Sequence, residues 1–136
     1  MTFVPARGRW TAKRYRTKAS TAYAIGEIVY SDGTDIIPAV STTEDVLGIV
    51  MEAKAVGDAT TAPIVVMVPD SYATSFAKVD VGTGTLTAAY EGRLCDPDGT
   101  SPKTKITIDA STESAFRIEK FLTASLALVS FTPTKR

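Results

Sequence analysis

Apolar and polar residues alternate in short bursts along most of this chain, and turn residues separate the bursts. The run from Ala22 to Tyr30 is rich in β-formers and stops at Ser31-Asp32-Gly33-Thr34. An Asp-Gly pair between two such runs predicts a hairpin, because both residues tolerate positive φ. The returning run, Ile36 to Val40, carries Pro38. Proline has no N–H to give to a ladder, so this run suits an edge strand. Val46-Leu47-Gly48-Ile49-Val50-Met51 reads as a buried strand, with Gly48 marking a bulge or a close backbone approach. A turn at Val56-Gly57-Asp58 follows, then a strand from Ile64 to Val68 that Pro69-Asp70 stops.

The second half continues in the same style. Ser75 to Val81 alternates as a half-buried strand does, and Gly82-Thr83-Gly84 reads as a loop. Thr85 to Glu91 has room for one helical turn, with Gly92 as its stop. Arg93-Leu94-Cys95 leads into Asp96-Pro97-Asp98-Gly99, a turn with proline at its second position. Lys105 to Asp109 and Phe116 to Glu119 alternate cleanly. The stretch Phe121 to Phe131 permits a helix, but its flanks have period two. A final hairpin turning at Thr123-Ala124-Ser125 is the better reading. Eight or nine short strands result, spaced by roughly 8–12 residues. The expected fold is all-β: a small antiparallel barrel or sandwich with a short helical turn and an extended N-terminal arm.

Charge sets that arm apart. The chain of 136 residues is neutral overall, with 15 basic and 15 acidic residues. Residues 1–20 hold Arg7, Arg9, Lys13, Arg14, Arg16 and Lys18 and no acid, a net of +6, so residues 21–136 carry −6. Residues 1–20 have no clean period, and Pro5 and Gly8 interrupt them early. They are expected to form a basic extended arm on a single β-rich domain spanning 21–136. Two roles fit: a solvated, frayed terminus, or a tether in which the cations dock on an acidic surface or nucleic acid. Trp10 and Tyr15 among the cations favour the tether. The candidate partner-binding residues are therefore Arg7, Arg9, Trp10, Lys13, Arg14, Tyr15, Arg16 and Lys18.

Candidate chemistry is sparse. The chain has no histidine, which removes the commonest general base, the commonest neutral metal ligand and any Ser-His or Cys-His nucleophile pair. Cys95 is the only cysteine and reads as a small buried hydrophobe. No internal disulfide is possible, and synthesis in a reducing cytoplasm is expected. Gly82-Thr83-Gly84 lacks the context of a phosphate loop. Asp96 and Asp98 miss the spacing of a calcium loop and are assigned to turn chemistry. Glu44-Asp45 suits a turn or helix start. A carboxylate-pair hydrolase is the weakest reading. No enzyme activity, cofactor or metal is expected. No apolar run approaches the roughly 18–20 residues that span a bilayer, nor do the first residues look like a signal peptide, so no membrane partner is expected.

Several segments together resemble the small capsid decoration (cement, head-stabilising) proteins of tailed bacteriophages. They are Ala24-Ile25-Gly26-Glu27-Ile28-Val29 with its Asp-Gly turn, Val46-Leu47-Gly48-Ile49-Val50, Val68-Pro69-Asp70-Ser71 and Val81-Gly82-Thr83-Gly84-Thr85. Gly92-Arg93-Leu94-Cys95-Asp96 and Phe116-Arg117-Ile118-Glu119-Lys120-Phe121 complete the set. The resemblance covers roughly residues 21–131 and rests on turn glycines and apolar strand positions. It implies a β-rich structural protein on the outer surface of the virion head, made in the host cytoplasm. It also implies binding to the major capsid protein as a homo-oligomer, a trimer, that bridges neighbouring capsomers. The basic segment would order on the capsid, and sister subunits would cover apolar edges near Ile64 to Val68. The arm's charge exceeds the family pattern. That keeps a nucleic-acid-binding β module as the alternative, although nucleic acid is not the expected partner.

Overall fold

The computed structural model describes residues 3–40, 43, 45–98, 103–108 and 115–132. Eleven strands run through them: β1 (Val4–Arg7), β2 (Trp10–Tyr15), β3 (Ile28–Ser31), β4 (Ile36–Pro38), β5 (Gly48–Val50), β6 (Ile64–Pro69), β7 (Phe76–Thr83), β8 (Leu94–Pro97), β9 (Lys105–Thr107), β10 (Phe116–Thr123) and β11 (Leu126–Phe131). A single 3-10 turn, Ala88–Tyr90, precedes Gly92, as the sequence led us to expect. The molecule is all-β.

Five strands close on themselves in the order β7-β11-β10-β8-β9, with β9 returning to β7. The closing pair, β7 with β9, is parallel, whereas the other pairings in this barrel are antiparallel. The purely antiparallel expectation is corrected here. Alternation has the same period in both kinds of ladder, so the residues of β9 carry no mark of their direction. β7 is long enough to serve two partners along one edge: residues 76–78 pair with β1, and residues 80–83 with β9.

The second sheet has the order β2-β6-β5-β3-β4 and is antiparallel throughout. Its two faces bury different cores, as strict alternation requires. Ile28 and Ile49 point to the larger cluster, shared with Val79, Cys95, Ile106, Phe116, Ile118, Val129 and Phe131 of the barrel. Their neighbours Val29 and Val50 point the other way, into a smaller cluster with Tyr23, Ile36, Ile64 and Val66. Gly48 takes no side chain because a Cβ there would collide with the Met67 carbonyl on β6. Pro38 lies on an edge strand, as expected. The hairpin at Asp32-Gly33 and the final hairpin of β10 and β11 both form.

The basic N-terminal segment is extended, but it is woven into the body. β1 pairs with β7 of the barrel sheet, and β2 pairs with β6 over its full length. These are the strands beyond the eight or nine read from the pattern. Phe3 is buried among aromatic rings, 5.2 Å from Phe116 and 6.4 Å from Phe131 between centroids. Its N–H donates to the Gly26 carbonyl at 3.1 Å.

Three further readings shift. Ile64 to Val68 is not an exposed edge, because β6 lies between β2 and β5. Gly82 and Thr83 belong to β7, and Asp96 and Pro97 to β8, where the sequence read as loop and turn. Asp96 and Asp98 are buried, at 5% and 7% exposure, where an open turn would leave them solvated. The buried Lys103 is near Asp98; desolvation pushes its ammonium below the ordinary value, and the Asp98 charge opposes that shift. Glu44, Gly99 and Asp109 lie outside the described residues.

The path from β1 to β2 crosses between the sheets at Gly8-Arg9, against the opposite crossing from β6 to β7. Arg9 O accepts the Asp70 N–H at 3.0 Å and the Ser75 hydroxyl at 2.6 Å. Gly8 has φ +75°, and a Cβ there would strike the Thr74 carbonyl. Gly8→Ala should therefore destabilise the fold by about 2 kcal/mol or more. Phe3→Ala should cost about 3–5 kcal/mol, as buried aromatic truncations do. Urea unfolding midpoints test both; values unchanged from wild type would mean that the segment does not pack as described.

Candidate functional site

The six cations singled out from the sequence lie along one continuous path. Arg7 ends β1, Arg9 sits in the crossing, Lys13 and Arg14 lie on β2, and Arg16 and Lys18 follow it. Three of them meet acids of the chain's own body. Arg9 Nε lies 3.9 Å from Asp70, Arg14 3.5 Å from Glu52, and Arg16 Nε 2.8 Å from Asp35. The last is a close charge contact without hydrogen-bond alignment. Much of the +6 segment is thus answered inside the molecule by the −6 body. Such exposed pairs contribute little stability each, about 0–1 kcal/mol. Arg7, Lys13 and Lys18 are exposed and have no ion-pair partner among the described residues.

Trp10 and Tyr15, the aromatics that favoured a tether, face inward. The Trp10 ring stands edge-on to Phe131 with centroids 5.7 Å apart, and its Nε1–H donates to Arg7 O at 3.0 Å. Tyr15 packs against the smaller cluster. Both rings are partly buried against the body. Density of charge hid this from the sequence, because an edge strand can bury its end aromatics while its middle stays wet.

Beyond β2 the chain folds onto β4. Thr17 forms a parallel bridge with Ile36, whose N–H donates to Arg16 O at 2.9 Å. Tyr23, 2% exposed, locks the junction: its hydroxyl donates to Ile36 O at 2.5 Å and accepts the Lys18 N–H at 2.9 Å. Lys54 Nζ donates to Lys18 O at 2.9 Å and lies 5.8 Å from the Tyr23 ring centroid. Lys18 thus contributes its backbone to the fold and leaves its ammonium exposed.

Sequence reasoning missed a cleft of about 490 Å³ on the outside of the barrel. Its lining comes from Tyr72 and Ala73 of the β6–β7 crossing, Leu94 of β8, Arg117 and Glu119 of β10, and Ser130, Phe131 and Thr132 at the end of β11. Register places Leu94, Arg117 and Ser130 in one row across β8, β10 and β11. A bulge on β10 sets the next residues: Ile118 faces Val129 and Lys120 faces Leu128, leaving Glu119 as the extra residue. Glu119 and Lys120 consequently both face outward, and Phe121 returns to the core. The signal was present as two adjacent polar residues interrupting the alternation of Phe116 to Phe121. Glu119 Oε1 accepts the Ser130 hydroxyl at 2.9 Å and lies 3.8 Å from Arg117 Nε.

Two buried groups complete the electrostatics. The Cys95 thiol is fully buried, and desolvation followed by the Asp96 charge raises its pKa well above the ordinary range, so it stays a neutral thiol. Glu27, 2% exposed, accepts the Ala24 N–H on Oε1 at 2.7 Å. Burial raises its pKa above the ordinary 4.5, and the Ala24 hydrogen bond only partly offsets this. Among the described residues no three histidine, cysteine, aspartate or glutamate side chains group as metal ligands would, and no helix is long and apolar enough to cross a membrane.

Compared with known protein families, characterised proteins and solved structures, the chain matches none.

Glu27 gives a signed pH prediction. The folded state prefers the protonated acid, so its destabilisation is absent below about 4.5 and grows as pH rises through the raised folded pKa. Glu27→Gln keeps the acceptor for Ala24 and removes the charge. Its stability advantage over wild type should be near zero at low pH and positive at neutral pH. Parallel denaturant titrations across that range check the difference; a loss of stability at neutral pH would contradict it.

Proposed function

We propose that this chain is a binding and assembly protein, a decoration protein on the outer surface of a tailed-phage capsid. The supporting observation is the basic path from Arg7 to Lys18, extended and already ordered within the body, with Arg7, Lys13 and Lys18 exposed and outside any ion pair among the described residues. The resemblance of residues 21–131 to that family points the same way. Cations carried on an already ordered backbone meet an acidic shell without first losing backbone entropy, which favours binding by a preorganised segment. This differs from a free arm that orders on contact. Repetition over a shell makes modest affinity per site sufficient. The partner is the major capsid protein, and the oligomer is a trimer.

The nucleic-acid alternative draws on the same cations. It is weakened by the engagement of Arg9, Arg14 and Arg16 with Asp70, Glu52 and Asp35, which leaves few charges for phosphates.

The purified protein should have the native mass of a trimer and bind expanded capsids saturably. Reversing Lys13 and Lys18 to Glu together should weaken that binding on the order of tenfold and flatten its salt dependence while leaving the fold intact. A monomer with no affinity for capsids would overturn the proposal. Salt-dependent DNA binding lost in the same double variant would replace it with the alternative.

A further inference from the structure

The cleft beside the β10 bulge has no part in the reading above, and its chemistry is of a different kind. Its charged pair is neutral in sum: Arg117, 56% exposed, faces Glu119, 26% exposed, across 3.8 Å. That separation is too long for a tight fork, so most of the guanidinium donors stay available. Glu119 spends one oxygen on Ser130 and keeps Oε2 as an acceptor. Ser130 and Thr132 are polar lining residues at 4% and 9% exposure. Tyr72 supplies an aromatic wall and Leu94 an apolar one, 42% exposed. The volume lies within the range of small-ligand sites, roughly 300–1,000 Å³.

A ligand that satisfies this set carries closely spaced hydroxyls, each able to donate and accept, and an apolar face for the walls. An anion would meet the Glu119 carboxylate, and a cation the Arg117 guanidinium. A peptide strand would need a free sheet edge for its backbone, whereas the cleft lies on the face of a closed barrel. We propose that this cleft binds a neutral hexopyranose ring. Vicinal hydroxyls bridge Arg117 and Glu119 Oε2, and one face of the ring lies against Tyr72. The bulge is what turns Glu119 into the site.

The test is an NMR titration of the full chain with the methyl pyranosides of glucose, galactose, mannose and N-acetylglucosamine, up to tens of millimolar. At least one should give saturable shifts confined to amides around Tyr72, Leu94, Arg117, Glu119 and Ser130. Arg117→Ala and Glu119→Gln each alter a partly exposed side chain and should weaken that binding about tenfold or more with the rest of the spectrum preserved. No saturable shift with any of the four sugars would overturn the proposal. So would shifts that persist in both variants, or a cleft that responds to an acidic peptide and to none of the sugars.

Discussion

The fold depends on one chain segment crossing between two sheets. Residues 3–18 begin with Phe3 in the aromatic cluster of the larger core, add β1 to β7, cross at Gly8-Arg9, add β2 to β6 and finish on β4 at Thr17. Each step uses a different force. Phe3 is held by burial, the strands by ladders, and the crossing by the hydrogen bonds of Arg9 O to Asp70 and Ser75. Without this segment β6 would lose its outer partner, and Phe116 and Phe131 would lose the Phe3 ring packed against them. The cationic character of the segment follows from the same geometry. An edge strand has much of its length in water, and the body beside it is acidic.

That arrangement changes how the charge asymmetry acts. A +6 segment on a −6 body suggests attraction to something outside, yet the nearest acids are internal. Asp70, Glu52 and Asp35 come from the ends of β6, β5 and β4 and take up Arg9, Arg14 and Arg16 in turn. What remains for a partner is a smaller set of exposed cations on an ordered backbone. Charges complementary to a partner give orientation and specificity more than raw affinity, which suits the proposed decoration role.

Much of the body was legible in the sequence because its signals were local. Asp32-Gly33 set the hairpin of β3 and β4, Gly92 ended the helical turn, and period-two flanks resolved Phe121 to Phe131 into a hairpin. The features that escaped depend on distant partners. β1 and β2 were hidden because lysine and arginine on an edge strand look like a solvated tail. The parallel pairing of β7 with β9 has no local mark. The buried state of Asp96 and Asp98 depends on strands elsewhere in the chain, although their Pro and Gly neighbours suggested an open turn. Of the candidate site, the positions of the cations were readable and their internal pairing was not. The outward placement of Glu119 required the register of β10 against β11.

The account's central claim is that the basic segment is part of the folded body before any partner is bound. Native-state hydrogen exchange of the isolated protein tests it most directly. The amides of residues 10–15 that pair with β6 should be protected to nearly the same degree as those of β5 and β6, and should open with them. Exchange of those amides at the rate of an unstructured chain, with β5 and β6 still protected, would contradict it.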